Sequence, residues 1–293
     1  ILALKEQEKY DDAEEIAFKW STSNDTLRLL FVEIAGEALL KAPVERTFAV
    51  DRLERFANAA SRSRSAFGTQ ALAWYHFNRQ QWADAAPWFR MSLDWSDKGK
   101  EDIATVTGLV VALRSSDKFD EAEELAYAWR ERDPAMRTLF IDIFAESLVR
   151  QKAPQTYPAE RIARYSAEIE RDRSAVGAQG LAWYHHDRAQ WGDAARWFRT
   201  AMDWTPGGKG TEKLAEGLAQ SLRQDKQFEK AEDVAFDWHE VSASLKQLFV
   251  EISAENLVTM PAERTYPMHR LNRFASHVTQ IKSSPGAEAI AWY

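Results

Sequence analysis

The sequence predicts an all-α fold, a right-handed superhelical solenoid of antiparallel helix hairpins. Three observations predict it: a 109-residue internal repeat that never loses register, apolar residues at helical spacing along the chain, and the absence of strand signals. The segment Lys9-Tyr10-Asp11-Asp12-Ala13-Glu14-Glu15 returns as Lys118-Phe119-Asp120-Glu121-Ala122-Glu123-Glu124 and again as Gln227-Phe228-Glu229-Lys230-Ala231-Glu232-Asp233. The block Leu72-Ala73-Trp74-Tyr75 returns as Leu181-Ala182-Trp183-Tyr184 and Ile290-Ala291-Trp292-Tyr293. All twelve tryptophans obey the same interval, as Trp20/Trp129/Trp238, Trp74/Trp183/Trp292, Trp82/Trp191, Trp88/Trp197 and Trp95/Trp204.

Each unit divides into three helical hairpins of about 36 residues, close to the ~34 of a common two-helix repeat. The first places Leu72, Ala73, Trp82, Ala85 and Phe89 in a large, small, aromatic, small, aromatic order. Small residues let two antiparallel helices approach, and the aromatic rings fill the gap to the next hairpin. The second puts Leu109, Phe119, Ala122 and Ala126 in corresponding places. The third, Met136 to Arg171, keeps helical periodicity through Leu139, Ile143, Leu148, Ile162 and Tyr165, lacks the alanines and breaks at Ala153-Pro154. It is expected to be a degenerate copy. The joints Ser96-Asp97-Lys98-Gly99 and Thr205-Pro206-Gly207-Gly208 read as short turns. The expectation is one solenoid over residues 1–293 with repeat units 1–109, 110–218 and a partial 219–293, roughly eight hairpins in all.

On these residues about two thirds of the chain resembles the tetratricopeptide repeat family. One such hairpin cannot bury its own apolar face, so stacking is obligatory. The resemblance implies a scaffold that takes a protein or peptide partner along a concave face made by the first helix of each hairpin. It places Gln70, Trp74, Phe77 and Asn78 there in one copy and Gln179, Trp183, His186 and Asp187 in the next, with Arg114 and Arg223 at the equivalent point of the second hairpin. The half-chain beginning within a helix, Ile1-Leu2-Ala3-Leu4, and the close on Ala291-Trp292-Tyr293 without a polar cap suggest an array excised from a longer protein.

The same face admits two ligand classes. An exposed indole stacks on sugar rings or on arginine and offers one N–H donor. Long tryptophan-rich, cysteine-free arrays also resemble the periplasmic repeat regions of bacterial exopolysaccharide (cellulose-type) export proteins, which implies a polysaccharide-guiding scaffold in the bacterial periplasm. Trp74, Gln70 and Asn78 lean toward sugar, whereas Arg114 and Arg223 lean toward a carboxylate-bearing partner. Trp82, Trp88, Trp191 and Trp197 read as packing residues.

Bulk properties restrict the rest. A formal charge of −7, from 45 acidic and 38 basic residues, repels nucleic-acid phosphate and anionic lipid. No apolar run approaches the ~20 residues that span a bilayer, so this segment is not expected to insert. The lack of cysteine excludes thiolate metal sites and disulfides. No catalytic constellation, metal site or cofactor is expected. The histidines lack ligand spacing, Gly207-Gly208-Lys209-Gly210-Thr211 lacks the spacing of a phosphate loop, and Asn24-Asp25-Thr26 matters as a glycosylation acceptor only in a eukaryotic secretory protein. The acidic pairs Glu33/Glu37, Asp142/Glu146 and Glu251/Glu255 are expected in structural salt bridges with Arg52/Arg161/Arg270 and Arg55/Arg164/Arg273.

Overall fold

The computed structural model describes residues 1–7, 9–97, 102–150, 155–205, 210–261 and 264–293. The expected break at Ala153-Pro154, and Lys98-Gly99 and Pro206 to Lys209 in the two joints, lie outside the described residues. Among those described there are seventeen helices and no strand. In order they are α1 (Leu2–Glu6), α2 (Tyr10–Ser21), α3 (Asp25–Lys41), α4 (Val50–Arg62), α5 (Ala66–Asn78), α6 (Trp82–Trp95), α7 (Ile103–Ser115), α8 (Phe119–Trp129) and α9 (Pro134–Arg150). The chain continues through α10 (Ala159–Asp172), α11 (Ala175–His186), α12 (Trp191–Trp204), α13 (Glu212–Gln224), α14 (Phe228–Asp237), α15 (Ala243–Thr259), α16 (Met268–Ile281) and α17 (Ser284–Trp292). Equivalent helices open at 66, 175 and 284, and at 50, 159 and 268. No described helix is long and apolar enough to cross a membrane.

Local chemistry starts and stops these helices. Asn24 accepts the N–H of Thr26 at 2.7 Å, and Ser65, Ser174 and Ser283 each accept the N–H of the glycine three residues on. Such N-caps are each worth about 1 kcal/mol. The Asn24-Asp25-Thr26 triplet is therefore a helix cap. Within the tight hairpins the turn is made by one residue in left-handed geometry: Gln80, Asp117, Ala189 and Lys226, with φ of 57 to 61°. The next N–H then reaches back to a carbonyl of the first helix, as Gln81 does to His76 at 3.0 Å and Gln227 to Leu222 at 2.9 Å.

The chain divides into two compact units, Ile1–Ile143 and Phe144–Tyr293. In the first, α3 packs on α4 and α5, and α5 on α6 and α7. In the second, α11 packs on α12 and α13, and α15 on α16 and α17. The small positions make this possible: Ala73, Ala85, Ala122 and Ala126 are wholly buried, as are Ala182, Ala194, Ala231 and Ala235. The aromatic knobs Phe89 and Phe198 are also fully buried. Each presses end-on against a glycine of the following odd helix, where a Cβ on Gly108 or Gly217 would stand only 2.5 Å from the ring Cζ.

The pairs α3/α4, α9/α10 and α15/α16 differ from their neighbours. Their first helices run 17 residues, and α3 is joined to α4 by a longer non-helical connection, 42–49, instead of a tight turn. The third hairpin of the repeat is thus a distinct design. An aromatic residue of each connection hangs on a tyrosine of the next odd helix: the N–H groups of Phe48, Tyr157 and Tyr266 donate to the hydroxyls of Tyr75, Tyr184 and Tyr293 at 3.3, 3.0 and 3.0 Å. Arg79 lies 3.8 Å over the Tyr75 ring and donates to the carbonyls of Pro43 and Arg46. Arg188 lies over Tyr184 in the same way and donates to the Gln155 carbonyl.

Beneath the connections sit buried glutamates. Glu14 takes a two-point grip from Arg52, and Glu232 accepts from Arg270 at 2.8 Å, Asn256 at 2.9 Å and the Tyr266 hydroxyl at 2.5 Å. Burial and the adjoining Glu232 carboxylate push the Tyr266 phenol well above its ordinary range, so it stays a donor.

The two glycine environments predict opposite signs for one substitution. Gly108→Ala forces a methyl into the Phe89 ring and is expected to destabilise by about 1–2 kcal/mol net of the helix-propensity gain. Gly192→Ala, whose added Cβ meets nothing nearer than 3.8 Å, should stabilise by up to about 1 kcal/mol. A urea denaturation midpoint of Gly108→Ala equal to or above that of the unsubstituted protein would refute the packing role of Gly108.

Candidate functional site

In the first unit Trp74, Phe77 and Asn78 share one end of α5. Trp74 is half-buried, with its indole edge-to-face on Phe89 at 4.9 Å and on Phe77 at 5.0 Å between centroids, and Phe77 continues to Trp82 at 4.9 Å. In the second unit Trp183 meets Phe198 at 4.7 Å and His186 at 5.4 Å, and His186 meets Trp191 at 5.3 Å. A histidine ring therefore replaces the Phe77 ring in an otherwise equivalent cluster. The indole N–H of neither Trp74 nor Trp183 has a hydrogen-bond partner among the described residues, and neither is a buried orphan. Asn78 and Asp187 are exposed, the latter with its carboxylate 3.6 Å from His186 Nδ1.

Other nominated residues are engaged by the fold. The Gln70 amide donates to Asp102 at 3.0 Å and to the Thr105 hydroxyl at 2.7 Å. Asp102 caps α7 by accepting from the N–H of Thr105, so Gln70 ties α5 to the start of α7. Gln179 is exposed, because Thr211 and Leu214 stand where Asp102 and Thr105 would hold it. Arg223 is bound by Glu255 at 2.7 Å and Glu251 at 3.3 Å. Arg114 stands near Asp142, whose carboxyl burial pushes above its ordinary value while the guanidinium pulls it down. Lys5, at the corresponding point of α1, bridges Glu33 at 2.5 Å and Glu37 at 2.8 Å.

These contacts correct the expected salt-bridge partners. Glu33/Glu37 and Glu251/Glu255 are ion-paired, but with the cation of the preceding odd helix. Arg52 instead serves Asp11 and Glu14, Arg270 serves Glu232 and Asp233, and Arg55 lies by Asp51 and Glu15. The reason is which face each side chain occupies. The acidic pair lies on the flank of its odd helix toward the preceding odd helix, while the arginines of α4 and α16 lie toward α2 and α14. The signal was present in the sequence, because Lys5, Arg114 and Arg223 recur as a basic position.

Of the tryptophans expected to pack, Trp197 is buried and Trp88 packs against the core of the first unit, while Trp82 and Trp191 are half-buried against Phe77 and His186. His76 and His185 each bond a glutamine five residues on, Gln81 at 2.8 Å and Gln190 at 2.6 Å. The glycine run at 207–209 lies outside the described residues. Among the described residues no group of three or more histidine or acidic side chains is placed to hold a metal ion.

No family model matches the chain, and no curated protein matches it. Solved structures similar to it include the APC/C hetero-tetramer Cut9-Hcn1, at 11% identity over 96% of this chain and 52% of that one with a TM-score of 0.34. Yeast Tom70 is similar at 14% identity over 95% of this chain and 61% of that one, with a TM-score of 0.37. The chain thus spans 52% and 61% of those two chains, and at such TM-scores neither likeness bears on function.

Burial, followed by the nearby Arg196 and Arg188, holds the His185 imidazole below its ordinary 6.5 against the opposing pull of Gln190 and Asp193. Between the lowered native value and 6.5 the unfolded chain binds the proton and the native state does not, so stability falls as pH drops through that window. His185→Gln cannot titrate. The stability advantage of the unsubstituted protein over this variant is therefore expected to shrink between pH 7.5 and pH 5, read by urea denaturation at each pH. An advantage independent of pH would contradict the assignment.

Proposed function

We propose that this chain is a non-catalytic scaffold that docks a protein partner along its odd-numbered helices. The observation that carries the reading is the half-exposed indole at Trp74 and again at Trp183. Each ring is fixed by edge-to-face contacts on its own hairpin yet keeps its N–H available. Fixed, amphipathic aromatic side chains lose little freedom on binding and form the anchors of protein interfaces. Around them the face is mixed: Phe77 and Asn78 in one copy, His186, Gln179 and Asp187 in the other. The cations at Lys5 and Arg223 are already neutralised by carboxylates.

The polysaccharide-guiding alternative needs amide groups beside the tryptophans to grip hydroxyls. Of the amides named for that role, Gln70 is occupied by Asp102 and Thr105 while Asn78 and Gln179 are exposed, and the loss of Gln70 favours the protein reading. A partner that inserts a side chain against the indole and accepts its N–H explains the same features with one contact type.

The test is to select twelve-residue displayed peptides on the whole chain and measure their affinity by tryptophan fluorescence, with cello-oligosaccharides titrated in parallel. The expected result is peptides that bind saturably and lose at least about tenfold in affinity, or ~1.4 kcal/mol, in the Trp74→Ala/Trp183→Ala protein. A saturable sugar response lost in that variant, with no peptide selected, would replace the protein-docking reading by the polysaccharide one.

A further inference from the structure

We infer that the groove between α15 and α17 is a subsite for an aromatic side chain that a partner presents beside a carboxylate. The inference rests on the docking reading above and names the partner's chemistry. The groove is a cavity of about 450 Å3 whose apolar floor includes Val250, Ala254 and Pro285, with Lys246 among its polar lining.

The first unit shows what such a groove holds. At the same repeat positions, between α3 and α5, Phe67 lays its ring on Gly36: a Cβ there would lie 2.7 Å from Phe67 Cε1 and 3.2 Å from Cζ. Gly36 is buried under that ring. In the second unit Pro285 stands where Phe67 stands and Ala254 where Gly36 stands. The short proline ring does not extend over the neighbouring helix as the phenyl ring does, and Ala254 is left half-exposed. The floor persists, with Val250 in the place of Val32. The second groove therefore keeps the apolar slot and lacks the internal ring.

The charge beside the slot has changed in the same direction. In the first unit the corresponding cation is Arg28, which is held by Asp25 and by the Ser63 hydroxyl. In the second unit Lys246 takes its place, while Ala243 and Ile281 replace Asp25 and Ser63. Both internal partners are gone, and Lys246 has no ion-pair partner among the described residues. Glu251, five residues on along α15, does not supply one, since it is taken up by Arg223 at 3.3 Å and the Gln247 amide at 3.0 Å. An unfilled aromatic slot next to an unpaired ammonium fits a ring with a neighbouring carboxylate. Burial of the ring would supply the affinity, and Lys246 the preference for an acidic neighbour.

The test uses the whole chain and three capped pentapeptides: Gly-Asp-Phe-Asp-Gly, Gly-Asp-Ala-Asp-Gly and Gly-Lys-Phe-Lys-Gly. Binding is read from the methyl resonances of Val250 and Ala254. The first peptide is expected to shift both saturably and to bind at least tenfold more tightly than either of the others. Ala254→Gly/Pro285→Phe, which restores the arrangement of the first unit, should weaken it at least tenfold without loss of thermal stability. Lys246→Ala should remove the preference for aspartate over lysine flanks. Equal binding of the phenylalanine and alanine peptides, or binding unchanged in the filled variant, overturns the subsite. If selected peptides still bind in a Trp74-dependent way while these methyls do not move, the docking reading stands and the subsite falls. If no peptide binds the chain at all, both fall.

Discussion

The structure depends on one contact between consecutive hairpins, the end-on approach of Phe89 to Gly108 and of Phe198 to Gly217. A helix pair of this size has no interior of its own, so its apolar stripe is buried only when the next pair closes over it. The phenylalanine ring buries on the order of 150–250 Å2 of apolar surface at the junction. Its fit requires a missing Cβ on the receiving helix. The small residues Ala73 and Ala85, and Ala182 and Ala194, set the distance within a hairpin, while the phenylalanine and glycine set the distance between hairpins. A substitution at either kind of position changes the spacing of a whole helix, which is why a single methyl carries a measurable cost.

The distinct third hairpin solves a different problem. Most described residues of its connection lie outside any helix, so their backbone groups need partners elsewhere. Tyrosine hydroxyls and arginine guanidinia from the following odd helix supply them, at Tyr75 with Arg79 and at Tyr184 with Arg188. Below, Glu14 and Glu232 are buried carboxylates, tolerable because Arg52 and Arg270 pair with them, with Asn256 and Tyr266 as further donors to Glu232. Where the first copy carries Phe48, the third carries Tyr266, whose hydroxyl adds a donor to Glu232. The order of the connection and the neutralisation of the glutamate are thus one arrangement.

The hairpin architecture was legible in the sequence because its determinants are local and periodic: alanines at the crossing points, aromatics at fixed offsets, and an interval that never slips. The receiving glycines were not singled out, since a glycine within a helix has no periodic signature and its purpose lies on the neighbouring hairpin. The acidic pairs Glu33/Glu37 and Glu251/Glu255 are structural, yet they pair with Lys5 and Arg223 and not with the arginines that spacing suggests. Spacing along the chain says which side chains share a helix face, not which neighbouring helix that face meets. For the same reason Gln70 read as a ligand group, although Asp102 and Thr105 stand within its reach on α7. Trp74 follows the buried packing alanine Ala73 and is itself half-exposed.

Divergence between the copies is informative because the backbone arrangement around each position is alike. Positions that hold the array together recur in chemistry, as Phe89 with Phe198 and Gly108 with Gly217 do. Positions at the α3/α5 and α15/α17 grooves do not: Asp25, Ser63 and Phe67 give way to Ala243, Ile281 and Pro285. Each of those three changes takes away an internal partner, two from the cation and one from the apolar floor. Three independent losses at scattered sites would leave three small defects. Concentrated in one groove they leave a surface whose unmet demands are of two matched kinds, apolar area and positive charge, and the least costly way to satisfy both is from outside the chain.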